Sequence, residues 1–237
     1  MNNNLKYKRI LLKLSGEGMG NEETPLFADT MQRWALQIKK LYDVGIEVCL
    51  VIGGGNFWRG SKGVSKGIKR TTGDYIGMLA TVMNALAFSD VLQANDMDAR
   101  VITAFEIQGV GEVFNQACVE QHLNKKRIVI FAGGTGNPFF TTDSCSVLRA
   151  LQTGCDAFLK ATQVDGIYDS DPRTNPNAIR YETIPYLTAL DKKLGVMDLT
   201  AMAMAQKSNL PVVVFNAHDS DFSDIVCGKG RYSIMKD

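Results

Sequence analysis

The chain has 237 residues, with 26 Lys and Arg against 25 Asp and Glu, a formal charge of +1. That balance leaves no bulk electrostatic argument for nucleic acid or an anionic membrane as partner. The length suits one large α/β domain with a sizeable core, and the five cysteines lack a C-x-x-C pair, so reduced thiols are expected rather than disulfides or zinc ligands.

Met1-Asn2-Asn3-Asn4 has no apolar signal core, and no apolar run approaches membrane-spanning length, so a cytoplasmic protein without membrane contact is expected. His122 and His218 show no metal-like spacing and receive no role; no metal ligands are assigned.

Residues 8–14 (KRILLKL) form an apolar run of strand length that ends in the glycine turn Ser15-Gly16-Glu17-Gly18. Lys13 is the odd residue there. A lysine at a strand end usually reaches out to solvent, but beside a glycine turn it can also point at a phosphate. Residues 29–42 show a helical stripe, with Asp29 and Gln32 spaced as a capping box. A second buried strand, 46–52, runs into Gly53-Gly54-Gly55-Asn56, with Arg59 just beyond. A β-α-β unit whose strands both end in glycine turns places those turns on one edge of a parallel sheet, where open α/β sheets bind ligands.

Residues 60–73 are rich in glycine, serine and cations, and read either as a flexible linker or as a cationic flap over a polyanion. Asp74 closes that loop and opens a long helical pattern through Leu92. A strand at 99–105 and a helix at 113–123 lead to the strand 127–132. Next comes Gly133-Gly134-Thr135-Gly136-Asn137-Pro138-Phe139-Phe140-Thr141-Thr142-Asp143-Ser144. Three glycines allow close backbone approach, Asn137 before Pro138 is pushed toward extended geometry, and Thr141 to Ser144 supply hydroxyls and a helix cap. A strand, a glycine loop and a capped helix (145–151) together form a phosphate-holding arrangement.

The strand 157–162 carries Lys160 near its polar end and opens into a turn-rich excursion at 163–172. A Met/Ala-rich helix at 196–206, a strand at 211–215 and a basic hairpin-like tail finish the chain, without internal repeats or a separating linker. Glycines, hydroxyls, Lys13, Arg59 and Lys160 thus share one sheet edge, which suits a substrate with several phosphates and phosphoryl transfer by positioning and charge neutralisation. No P-loop, dinucleotide fingerprint or protein-kinase motif set is present.

Lys13-Leu14-Ser15-Gly16-Glu17, Val51 to Asn56 with Arg59-Gly60, Gly73-Asp74, Gly134 to Asp143, Lys160-Ala161-Thr162, Val164 to Tyr168, Asp171-Pro172 and Val196 to Leu199 resemble the bacterial uridylate kinases of the amino acid kinase superfamily. The resemblance covers almost the whole chain in unbroken order. It implies a three-layer α-β-α sandwich with a mainly parallel central sheet, one domain over 1–237, UMP held by the N-terminal part and ATP by roughly 157–237. It implies transfer of the γ-phosphoryl of ATP to UMP in pyrimidine nucleotide biosynthesis, Mg2+ carried by ATP, a homohexamer, UTP as inhibitor and GTP as effector. By matched motif, Lys13, Leu14, Ser15, Gly16, Gly55, Arg59, Thr162, Gln163, Tyr168 and Asp171 would meet ATP. Gly54, Asp74, Thr135, Gly136, Asn137, Pro138, Phe139, Phe140, Thr141 and Thr142 would hold UMP. Lys13, Arg59 and Lys160 would carry the catalytic charge, with Asp143 and Asp198 orienting the cations.

The chain departs from the family pattern at Gln163, where relatives commonly have Asn or Lys. Ser89 and Gln93 stand where some relatives carry Arg and His in the region associated with GTP regulation, while Arg100 is kept. Two rival readings are a carboxylate or carbamate kinase of the same superfamily and a non-catalytic nucleotide sensor. The ribose-suited Asp74 counts against the first, and joint retention of Lys13, Arg59 and Asp143 against the second.

Overall fold

The computed structural model describes residues 5–21, 23–58 and 67–237. Arg59 and the cationic segment 60–66 lie outside these residues. The first unit is β1 (Arg9–Leu14), α1 (Gly16–Met19), α2 (Ala28–Asp43) and β2 (Glu47–Ile52). There follow α3 (Arg70–Ala94), β3 (Ala99–Thr103), β4 (Glu112–Val113), α4 (Gln116–Asn124), β5 (Ile128–Ala132), α5 (Thr142–Gln152) and β6 (Ala157–Thr162). The C-terminal third contributes β7 (Ile167–Tyr168), β8 (Arg180–Tyr181), β9 (Thr183–Ile184), α6 (Tyr186–Asp191), α7 (Leu199–Lys207), β10 (Val212–Asn216), α8 (Phe222–Val226) and β11 (Tyr232–Met235).

Nine strands form one sheet in the order β4-β3-β5-β2-β1-β6-β10-β11-β9, parallel throughout except where β10 meets β11. The central strands are apolar along their whole length because helices cover both faces. Ile10, Leu12 and Leu14 point to one face and pack with Trp34, Ile38, Phe88 and Phe222 of α2, α3 and α8. Leu11, Val51, Phe131 and Phe158 point to the other and pack with Val119, Val147, Tyr186 and Met202 of α4, α5, α6 and α7. Burying each such side chain stabilises the fold by roughly 1.5–3 kcal/mol. The expected α-β-α sandwich with a mainly parallel sheet is the observed architecture.

Several local expectations are corrected. α2 starts at Ala28 behind Phe27, without a side-chain cap, and Gln32 instead exchanges amide hydrogen bonds of 2.9 and 3.1 Å with Asn95 at the end of α3. α3 begins at Arg70, so residues 70–73 are helix rather than loop and Asp74 sits in the second turn. The helix expected from Val113 begins at Gln116. Asn115 caps it by accepting from the Ala117 and Cys118 amides, which frees Glu112 and Val113 to pair with β3. Asp198 caps α7 likewise and delays its start to Leu199. β7, β8, β9, α6 and α8 are too short to give a periodic signal.

One expectation about apolar length also changes. Among the described residues α3, 25 residues long with an 18-residue window of mean hydropathy 1.4, is long and apolar enough to cross a membrane by length and composition. Half of that window is buried inside the molecule, where Val82, Ala85, Phe88 and Leu92 pack on the sheet, as in a core helix.

Candidate active site

Parallel pairing of β1, β2, β5 and β6 puts the turns that follow them on one sheet edge. The turns after β1 and β2 touch backbone to backbone: a Cβ on Gly16 would lie 2.2 Å from the Gly53 carbonyl oxygen. Behind them two buried amides lock the second turn to α3. Asn56 and Asn84 donate to each other's side-chain oxygens at 2.9 and 2.8 Å, and Asn84 also donates to the Gly53 carbonyl at 2.6 Å.

Lys13 and Lys160 are register partners on β1 and β6, and both project toward the α5 face. Asp143, in the first turn of α5, lies between them. Its Oδ1 is 3.2 Å from Lys13 Nζ, and its Oδ2 accepts from Lys160 Nζ at 2.7 Å. Burial opposes ionisation of Asp143, but the two ammoniums outweigh it and hold the carboxyl below its ordinary value. Burial, with Lys13 adding to it, lowers the Lys160 ammonium despite Asp143. Lys160 also donates to the Val196 carbonyl.

Asp198 finds hydroxyl and amide donors rather than a lysine. Its Oδ2 accepts from Thr141 Oγ1 at 2.5 Å, and its Oδ1 from Ser144 Oγ at 2.8 Å and from the Ala201 amide at 3.0 Å. As the cap of α7 it is committed to amides and hydroxyls; it reaches Lys160 only through space. It therefore joins the N-termini of α5 and α7. Thr141 in turn caps α5, its Oγ1 accepting from the Asp143 and Ser144 amides at 3.1 and 3.2 Å.

The loop after β5 is turned rather than extended. Gly133, Gly134 and Gly136 have φ of 77, 58 and 81°, and Phe139 reaches 74°, a conformation that costs a bulky residue energy. Asp74 holds that strained residue in place: its Oδ2 accepts the Phe139 amide at 2.8 Å, while both its oxygens lie 2.8–2.9 Å from Arg70 Nε. Thr81 fixes the start of the loop by accepting the Gly133 amide at 2.9 Å.

Two cavities lie on this edge, and both lysines line the larger. The larger, about 600 Å3, is lined by the expected Lys13, Ser15, Thr162, Gln163, Tyr168 and Asp171, and by Lys160. The smaller, about 290 Å3, is lined by the expected Gly54, Asp74, Asn137, Phe140, Thr141 and Thr142. The chain joins the two cavities through Thr142 and Asp143. Leu14 and Gly16 are buried behind the larger cavity, and Gly55 packs against Glu17 at its rim. Thr135, Gly136, Pro138 and Phe139 shape the loop without lining the smaller cavity. Arg59 lies outside the described residues.

Sequence reasoning missed Trp58, Arg70, Gly77 and Thr81 around the smaller cavity and Lys192 and Lys193 at the larger. The glycines at 73 and 77, one helical turn apart, were the available sign: the Trp58 indole lies against both.

A parallel-sheet sandwich with two lysines on a shared aspartate at the larger of two cavities on one sheet edge is the architecture of a small-molecule phosphotransferase of the amino acid kinase type. The profile of the Amino acid kinase family matches residues 8–216, and the chain belongs to that family. It is 46% identical over 237 residues to the uridylate kinase of Rickettsia canadensis, covering 99% of this chain and 98% of the relative. With the uridylate kinase of Cereibacter sphaeroides it shares 48% over 229 residues, covering 96% and 93%. Among solved structures it is similar to UMP kinase from Bacillus anthracis, with TM-score 0.93 and 37% identity over 98% of this chain and 96% of that one. UMP kinase from Ureaplasma parvum gives TM-score 0.92 and 35% identity over 98% and 100%.

Proposed function

We propose that this protein is a uridylate kinase that transfers the γ-phosphoryl group of ATP to UMP, giving ADP and UDP in pyrimidine nucleotide biosynthesis. The observation that carries the reading is the Lys13–Asp143–Lys160 bridge, whose lysines line the larger cavity while Thr142, next to Asp143 in the chain, lines the smaller. ATP occupies the larger cavity, formed mainly by residues 157–237, with Thr162, Gln163, Tyr168 and Asp171 around its base and ribose. UMP occupies the smaller, with its ribose toward Asp74 and its base along 135–142. A phosphate oxygen of UMP attacks the γ-phosphorus, the bond to the β–γ bridging oxygen breaks, and Lys13 and Lys160 neutralise the charge on the moving group. Arg59 is assigned to the phosphates by its motif alone.

Asp143 serves two lysines and Asp198 serves hydroxyls and an amide, so these two are committed away from magnesium. Magnesium therefore belongs to ATP's own phosphate oxygens. The working form is a cytoplasmic homohexamer. Self-association is supported by Tyr75, Leu79, Met83 and Leu86, which make an exposed apolar stripe at helical spacing along α3. UTP inhibition and GTP response belong to the same reading.

A coupled assay of ADP release with UMP, CMP, aspartate and carbamate as acceptors tests it. UMP-dependent release, with the other acceptors at least tenfold poorer, is expected. Preference for a carboxylate or carbamate, or no acceptor-dependent release, overturns it.

A further inference from the structure

At the sheet edge formed by β4, away from both cavities, three side chains bring metal-binding atoms together. Glu112 stands on β4, and Cys118 and His122 lie one turn apart on α4. Glu112 Oε2 is 3.1 Å from Cys118 Sγ, Cys118 Sγ is 3.5 Å from His122 Nε2, and His122 Nε2 is 3.0 Å from Glu112 Oε1. Around a tetrahedral zinc ion, with bonds near 2.0–2.3 Å, such donor pairs stand about 3.3–3.6 Å apart. Glu112 meets the other two through different oxygens; with one ligand atom from each residue the three donors lie within 4.8 Å of one another, so side-chain rotation is needed to centre them on one ion. His122 is buried, Cys118 half-buried and Glu112 exposed, so an ion approaches from the Glu112 side.

We propose that Glu112, Cys118 and His122 form a zinc site, with water as fourth ligand, that the kinase chemistry does not use. In the metal-free chain the cluster is closed by hydrogen bonds. The Cys118 thiol donates to Glu112, and Arg127 Nη1 donates to His122 Nδ1 at 3.2 Å, which places the ring proton on Nε2. On zinc uptake the thiol proton leaves to solvent as the Zn–S bond forms. The Nε2 proton gives way to the Zn–N bond and the ring is reprotonated at Nδ1. Arg127 turns its Nη1 off the ring while keeping Asp98 through its Nε, now 2.7 Å away. Carboxylate and thiolate together balance the ion's charge. Arg127, and Arg100 whose field reaches Glu112, oppose the ion and set its affinity well below that of a four-ligand structural site.

The full chain, freed of metal with chelator and kept nucleotide-free, is titrated with zinc chloride, and with cobalt(II) chloride as a spectroscopic probe. One saturable equivalent per chain, a thiolate-to-cobalt charge-transfer band and a raised melting temperature are expected. Cys118→Ser should abolish the band and weaken zinc at least tenfold, His122→Gln should weaken it comparably, and Arg127→Gln should tighten it severalfold. Far-UV circular dichroism of each variant confirms the fold. Absence of a saturable equivalent overturns the assignment. So does an equivalent that survives both Cys118→Ser and His122→Gln unchanged, or weaker binding in Arg127→Gln.

Discussion

Lys13 and Lys160 stand opposite each other on neighbouring parallel strands, two ammoniums on one face of the sheet with side chains only 13% and 11% exposed. Like charges so placed repel unless an anion intervenes, and Asp143 supplies one negative charge for two positive ones. On the proposed reading, the uncompensated charge would meet the transferring phosphoryl group.

Lys13→Ala should lower kcat by on the order of 10^2–10^3 while the fold persists, because the residue projects from a strand whose packing it does not supply. A coupled ADP assay beside a thermal melt measures both. Near-normal turnover would remove the central role given to this lysine.

Asp143→Asn leaves both lysines without their counter-ion and should cost about 3 kcal/mol, a fall in Tm of roughly 6–12 °C at neutral pH. The pH dependence has a definite sign. The folded carboxyl is held below its ordinary value of 3.8, so between the two values the unfolded chain binds more protons and stability rises with pH. The contribution is complete above the ordinary value and is lost as pH falls through the depressed one. Melts of parent and variant should therefore converge in acid; a constant gap down to the lowest accessible pH would contradict the ion-pair origin.

For Asp74→Asn, KM for UMP should rise roughly 10- to 100-fold with KM for ATP little changed, the loss of a charge-assisted contact. The carboxylate also anchors the Phe139 amide at φ 74°, so hydrogen exchange at that amide should quicken in the variant. Equal changes in both KM values would place Asp74 elsewhere in the reaction.

Asn84→Ala should destabilise by about 2–3 kcal/mol, since it orphans the Asn56 Oδ1 and removes one of the Gly53 carbonyl's contacts, while Asn56 Nδ2 keeps only the Pro25 carbonyl. Denaturant unfolding gives the value directly, and a loss under about 0.5 kcal/mol would mean that the amide pair is dispensable.

The sheet and its order of glycine turns were legible because parallel strands buried on both faces must be apolar nearly throughout, as 10–12, 48–52 and 128–132 are. Lys13 and the loop from Gly133 to Ser144 drew attention for a related reason: a cation and three glycines at strand ends break that pattern. Short elements such as β7, β9 and α6 carry no periodicity and stayed invisible. The Asp29–Gln32 capping spacing misled, because a local pattern cannot reveal that Gln32 finds Asn95, 63 residues away.

By itself the sequence determined which segments are buried strands, where the backbone must turn sharply and which charges stand at strand ends, since each is a property of a few neighbouring residues. Only the tertiary structure decided that Asp143 serves Lys13 and Lys160, that Asp198 serves hydroxyls and an amide, and that Glu112, Cys118 and His122 meet. Those pairings depend on strand register and helix placement, which arise when residues far apart in the chain are packed against a common sheet.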